Sequence, residues 1–241
     1  MNYHWNWGIF LDQVKGGDET YLDWLLTGFG WTVAVSLSAW VIALALGILF
    51  GVLRTAPSKA LVAVATAWVE LFRNIPLLVQ IFLWYHVVPA LIPPLRGVPS
   101  FILVVMGLGL FTSARISEQV RAGIQSLAGG QRMAGLAMGF TLPQTYRHVL
   151  LPMAYRIIIP PLTSESMNII KNSSVAFAVS ISELTLFALQ AQEETSRGIE
   201  VYLAVTGLYI VSAFAINRVM AFVEKRSRVP GLIVAGGSGG H

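Results

Sequence analysis

The chain has 241 residues, 55% of them hydrophobic and 12% charged, with a mean hydropathy of +0.68. A soluble domain carries roughly twice that share of charge on its surface, so the composition excludes an ordinary water-soluble globule. The absence of cysteine excludes disulfides and thiolate metal sites, and a net charge of +4 is what basic cytoplasmic loops give a membrane protein rather than a nucleic-acid footprint.

About 20 apolar residues cross a bilayer, and several runs here are that long. The N-terminus lacks a basic n-region and a small-residue cleavage site, so it does not read as a signal peptide. Its aromatics, Tyr3, Trp5, Trp7 and Phe10, suit either a short helix in the headgroup region or a loosely ordered terminus. The first span is expected over 25–53 and ends at Arg54 and Lys59. Residues 61–72 are apolar except for Glu70 and read as a helix at the cytoplasmic interface. Pro76 breaks the chain before a second span over 77–93, which keeps Arg73 out of the membrane centre. The third span covers 101–120, with Gly107 and Gly109 placed for close packing and Arg115 and Glu118 spaced to pair on one face. The polar stretch 121–150 follows, then span four from Pro152 to about 181 and span five over 201–222. Residues 236–241 read as an appended tag, which leaves one domain over 1–235.

The charges between spans set an orientation. Asp12, Lys15, Asp18, Glu19 and Asp23 before span one sum to −3, and Glu193, Glu194, Arg197 and Glu200 between spans four and five sum to −2. Arg54, Lys59, Arg73, Arg121, Arg132, Arg147 and Arg156 fall on the other side. The positive-inside rule then puts the N-terminus outside and the C-terminus and 121–150 in the cytoplasm. Five spans without an internal repeat argue against a single-chain inverted-repeat carrier.

Within 131–152, residues 131–138 favour a short helix after the breaker pair Gly129-Gly130. Gly139 stops it, and Thr141 caps a second helix with Pro143 near its first turn. Two short helices projecting from a membrane protein make a docking knob.

This stretch resembles the coupling-loop signature of bacterial ABC importer permeases: Glu-Ala-Ala, three residues, Gly, nine residues, an aliphatic residue, one residue, Leu-Pro. Gly139, Val149, Leu151 and Pro152 fit; at Met133-Ala134-Gly135 only Ala134 matches. The segments from Glu70 to Gln80, from Ala114 to Ser126 and from Thr163 to Ser174 are similar to polar amino-acid permeases, closest to those of glutamate/aspartate importers. The resemblance implies an all-α membrane protein of the type I importer kind, with about five transmembrane helices and a cytoplasmic coupling helix-turn-helix over about 123–151. It implies a multi-pass subunit of the bacterial cytoplasmic membrane that is not an enzyme and holds no cofactor. ATP and Mg would sit on two cytoplasmic ATPase partners, beside a second permease and an extracytoplasmic binding protein. Gln131, Ala134, Gly135, Met138, Gly139, Thr141 and Pro143 would then form the coupling contact.

Span four holds Ser164, Glu165, Asn168, Lys171 and Asn172 inside an apolar context. Glu165, Asn168 and Asn172 share a helical face, and Pro160-Pro161 are expected to break the helix before them. Intramembrane charge marks a substrate pathway by default; the plain alternative is a polar seam in which Glu165 and Lys171 neutralise groups on neighbouring spans. Cationic amino-acid permeases of the resembling family tend to carry Lys-Asp-Ser where this chain has Lys171-Asn172-Ser173. With Arg73 and Lys171 as anion partners, the expected substrates are acidic amino acids or their amides.

His86 and His148 have no partner at metal-ligand spacing, and no HExxH, GxSxG or Walker-type loop appears. An ion-coupled secondary carrier and a purely structural membrane partner are the competing readings.

Overall fold

The computed structural model describes residues 3–227. Residues 1–2 and 228–241, with the tag-like 236–241 among them, lie outside the described residues. The elements are α1 (Tyr21–Leu53), α2 (Lys59–Asn74), α3 (Leu77–Phe82), α4 (Val88–Leu91), α5 (Ser100–Gln125), α6 (Gly129–Ala137), α7 (Leu142–Thr145), α8 (Leu151–Ser173), α9 (Leu184–Thr195) and α10 (Gly198–Ser227). Single π turns join α3 to α4 and α7 to α8. No strand occurs among the described residues.

Helix α1 starts at a capping box: Thr20 Oγ1 accepts from the Asp23 N–H at 3.2 Å, and Asp23 Oδ2 accepts from the Thr20 N–H at 3.0 Å. Its buried side steps every fourth residue through Val35, Ala39, Ala43, Gly47 and Gly51, a small-residue stripe laid against α5. A Cβ on Gly47 would fall 2.6 Å from Ile116 and one on Gly51 2.5 Å from Val120, so only glycine lets these backbones meet. On α5, a Cβ at Gly107 would lie 3.0 Å from Ile81 and one at Gly109 3.0 Å from Ile42, which is the close packing expected of both. The core of the bundle therefore follows α5, which contacts α1, α2, α3 and α8.

Helices α1, α5 and α10 are long and apolar enough to cross a membrane alone; counting each of two bent pairs as one span brings the number to five. The first pair, α2 with Leu77–Leu91, turns through 103° at Ile75-Pro76, where the sequence places the break. The second joins Leu142–Val179 to α9 at 53°.

Three expectations are corrected. Pro160 and Pro161 do not break span four: α8 runs through both, held by Ile158, Ile159 and Leu162 buried against its neighbours. A Pro-interrupted helix persists where packing in the bundle offsets the two missing hydrogen bonds. The second helix of the loop is not a separate short one, because α7 continues through its π turn into α8, past Pro152 in the first turn. Residues 184–195, read as a connection, form α9, and the Glu183 carboxylate caps it by accepting from the Thr185 and Leu186 N–H groups at 2.9 and 3.1 Å.

The N-terminal segment forms a 3-10 turn, Trp7–Leu11, and is not loose. Glu200 accepts from the Tyr3 hydroxyl and from the Asn6 N–H, and Arg197 donates to the His4 carbonyl at 2.9 Å. Trp5 and Trp7 stack and stay half exposed, the side that suits a headgroup layer.

Candidate functional site

Along α8 the outward positions are Arg156, Pro160, Ser164 and Lys171, with Asn168 and Asn172 half-buried beside them. Spacings of four, four and seven place the first four on one face. Glu165 turns the other way and is 4% exposed. It accepts a two-pronged grip from α5: Arg115 Nε to Oε2 at 2.9 Å and Arg115 Nη2 to Oε1 at 3.0 Å. Gln119 Nε2 adds a third bond to Oε1 at 3.1 Å. The carboxylate is thereby neutralised inside the bundle, while no ion pair involves Lys171 or Arg156 among the described residues. Asn168 and Asn172, three and seven residues on, keep the expected common face with Glu165 but are half-buried where it is buried.

Arg115 and Glu118 do not pair with each other. Glu118 lies toward the C-terminal end of α5 and meets Arg54 Nη1 at 2.8 Å, Arg73 Nη1 at 3.1 Å and Arg121 Nη1 at 3.5 Å. Arg73 also holds Glu70 at 3.0 Å. It therefore belongs to this cluster, and among the described residues no hydrogen bond or ion pair joins it to α8. The spacing along α5 pairs Arg115 with Glu118 and gives Gln119 no partner, because the periodicity of one helix does not show that Glu165 of α8 lies opposite. Helix α5 runs on to Gln125, which sets Arg115 about 15 Å from that end. The lack of any proline or Gly-Gly pair between 101 and 125 is the signal that the helix runs on.

The loop is a compact device. Helix α6 ends in a Schellman cap, with the Gly139 N–H on the Leu136 carbonyl at 3.0 Å and the Phe140 N–H on the Gly135 carbonyl at 3.2 Å. Gly139 takes φ +86°, the left-handed conformation that glycine tolerates. Thr141 and Gln144 form a capping box at α7, with Pro143 in the first turn. Gly135 is the contact between the two helices: a Cβ there would sit 2.7 Å from Thr145 Cγ2. Met133 and Met138 stand outward, 74% and 75% exposed, with Ala134, Gly139, Thr141 and Pro143 exposed around them and Gln131 half-buried. Tyr146 donates to the Thr55 carbonyl at 2.7 Å, tying the loop to the turn after α1 across a cleft of about 690 Å³. His148 lies beside Phe140 and His86 between Phe82 and Tyr85.

A bundle of helices long and apolar enough to cross a membrane, with a polar face on α8 and two exposed methionines on a compact helical loop, is the architecture of a membrane transport subunit. Residues 43–229 match the family described as binding-protein-dependent transport system inner membrane component. The glutamate/aspartate import permease protein GltJ of Escherichia coli (strain K12) is 46% identical, over 96% of this chain and 98% of its own length. The probable glutamine ABC transporter permease protein GlnM of Bacillus subtilis (strain 168) is 36% identical, over 83% of this chain and 92% of its own. A crystal structure of an amino acid ABC transporter with histidines has a TM-score of 0.75 at 28% identity, covering 90% of this chain and 98% of that one. The chain belongs to the binding-protein-dependent inner-membrane family and is a transmembrane permease subunit of an ABC importer, a transporter component and not an enzyme. The ion-coupled carrier reading finds no support.

Proposed function

We propose that this permease serves an amino-acid importer for acidic amino acids or their amides. The observation that carries the reading is the charge of the α8 wall: Glu165 is consumed by Arg115, and Lys171 is left exposed beside Ser164, Asn168 and Asn172. A positive wall at membrane depth needs an aqueous cavity in front of it and favours a carboxylate ligand. The 46% identity to a glutamate/aspartate permease supports the same substrate class. Uptake by vesicles holding the permease with its partner subunits and binding protein tests it. Glutamate, aspartate or glutamine should compete well below the concentrations needed of arginine or lysine; preferential arginine uptake would refute the proposal.

The partners in this reading are two cytoplasmic ATPases that carry ATP and Mg, a second, paralogous permease, and an extracytoplasmic amino-acid-binding protein. Met133, Ala134, Met138 and the residues around Gly139 seat in the ATPase, whose closure moves α7 and α8 as one rod. The N-terminus lies outside and the C-terminus in the cytoplasm. Single cysteines placed in this cysteine-free chain check it. One at Ser126 or Gln144 should react with an impermeant thiol reagent only from the cytoplasmic side, and one at Asp18 or Glu194 only from outside.

A further inference from the structure

We infer that Arg115, held in place by Glu165, reads the substrate's carboxylate through its open edge; this rests on the acidic-substrate reading above. Guanidinium has five N–H donors arranged along edges, each able to hold one carboxylate. The Nε/Nη2 edge of Arg115 is taken by Glu165. Nη1 donates to nothing among the described residues, so the end-on Nη1/Nη2 edge is open. The side chain is 43% exposed, against 5% for its partner. An exposed guanidinium on a helix that crosses a membrane cannot face lipid without severe cost, which calls for a polar space in front of the open edge.

The division between the two residues follows from their saturation. Glu165 accepts three hydrogen bonds, from Arg115 and Gln119, and is shut away from solvent. It therefore orients the guanidinium rather than meeting a ligand's ammonium group. Remove Arg115, and Glu165 becomes an uncompensated carboxylate that repels acids. Lys171 stands seven residues beyond Ser164, about 10 Å along the helix, as a second cation on the route.

A plain strut between α5 and α8 would give the same geometry, and a paired substitution separates the two. Arg115→Gln, Glu165→Gln and the double variant are placed in vesicles with the partner subunits and saturating binding protein. The readout is the ratio of maximal glutamate uptake to maximal glutamine uptake. Arg115→Gln should lower that ratio at least about tenfold, the scale of one lost charge-assisted pair. The double variant restores a neutral, hydrogen-bonding contact, so glutamine uptake should return while the ratio stays low. A ratio restored to the wild-type value in the double variant would reduce Arg115 to a strut and overturn the inference. If neither glutamine-bearing variant assembles with its partners, Arg115→Lys decides, since it keeps the charge and loses the open edge: a lowered ratio supports the inference and an unchanged one overturns it. A wild-type protein that prefers arginine sinks the substrate reading and this inference together, whereas a glutamate-preferring wild type leaves the variants to judge Arg115 alone.

Discussion

Glu118→Ala is expected to destabilise the subunit by about 3 kcal/mol or more, a large fraction of the stability of a typical domain. The carboxylate is the common anion of a cluster that joins the end of α1 through Arg54, α2 through Arg73 and its own helix through Arg121. The Arg54 side chain is only 4% exposed. Deleting its partner leaves a buried guanidinium uncompensated, the costly way to break an ion pair. It also leaves three mutually repelling cations, with only Glu70 nearby to offset one of them through Arg73. Glu118→Gln keeps the shape and one acceptor oxygen and should fall between the two. Adding Arg54→Met to Glu118→Ala removes the stranded charge while keeping its packing, so part of the loss should return. Thermal unfolding of the purified complex reads all four proteins. An unchanged transition for Glu118→Ala would show that the cluster is held together by something other than this carboxylate.

The elements that composition and apolar run length specify were legible, because a bilayer imposes its thickness on the sequence. Spans one, three and five match α1, α5 and α10, and Pro76 marks the 103° turn. The loop was legible for a different reason: Gly139 and Thr141 are local signals whose geometry needs no tertiary context. What failed were predictions that depend on neighbours. Pro160-Pro161 would break an isolated helix, yet packing of Ile158, Ile159 and Leu162 carries α8 through. Arg115 and Glu118 have ideal spacing for each other, yet each finds a better partner on another helix. Periodicity places side chains on a face without saying which helix lies opposite. For the same reason the sequence does not show that the partners of Arg73 are Glu70 on α2 and Glu118 on α5. Helix α9 was hidden by its acidic end: Glu193 and Glu194 read as a loop, while Leu184, Phe187, Ala188 and Ala191 ahead of them pack on Tyr21 and Leu25.

Gly135→Leu should abolish coupling while leaving the subunit in the membrane. The third position of the Glu-Ala-Ala segment, alanine in the resembling family, is glycine here because Thr145 fills the space. Even a methyl group would come within 2.7 Å of Thr145 Cγ2 and 3.1 Å of its Oγ1. Thr145 is fully buried and its hydroxyl is committed to the Thr141 carbonyl at 3.0 Å, so it cannot swing away cheaply. A leucine must lift α6 off α7, at about 1–3 kcal/mol of overpacking, and carry Met133 and Met138 out of register with whatever they dock against. Substrate uptake and binding-protein-stimulated ATP hydrolysis should fall together by about tenfold or more, the factor that 1.4 kcal/mol of misalignment gives. Gly139→Leu should be milder: nothing lies within 4 Å of its Cβ, and the cost is only the left-handed backbone at φ +86°, about 1–2 kcal/mol within the loop. The contact itself can be isolated by combining Gly135→Ala with Thr145→Ala. That pair removes both clashing atoms and should recover most of the stimulated hydrolysis that Gly135→Ala alone loses. Normal stimulated hydrolysis in Gly135→Leu would mean that the α6–α7 angle does not transmit the ATPase stroke.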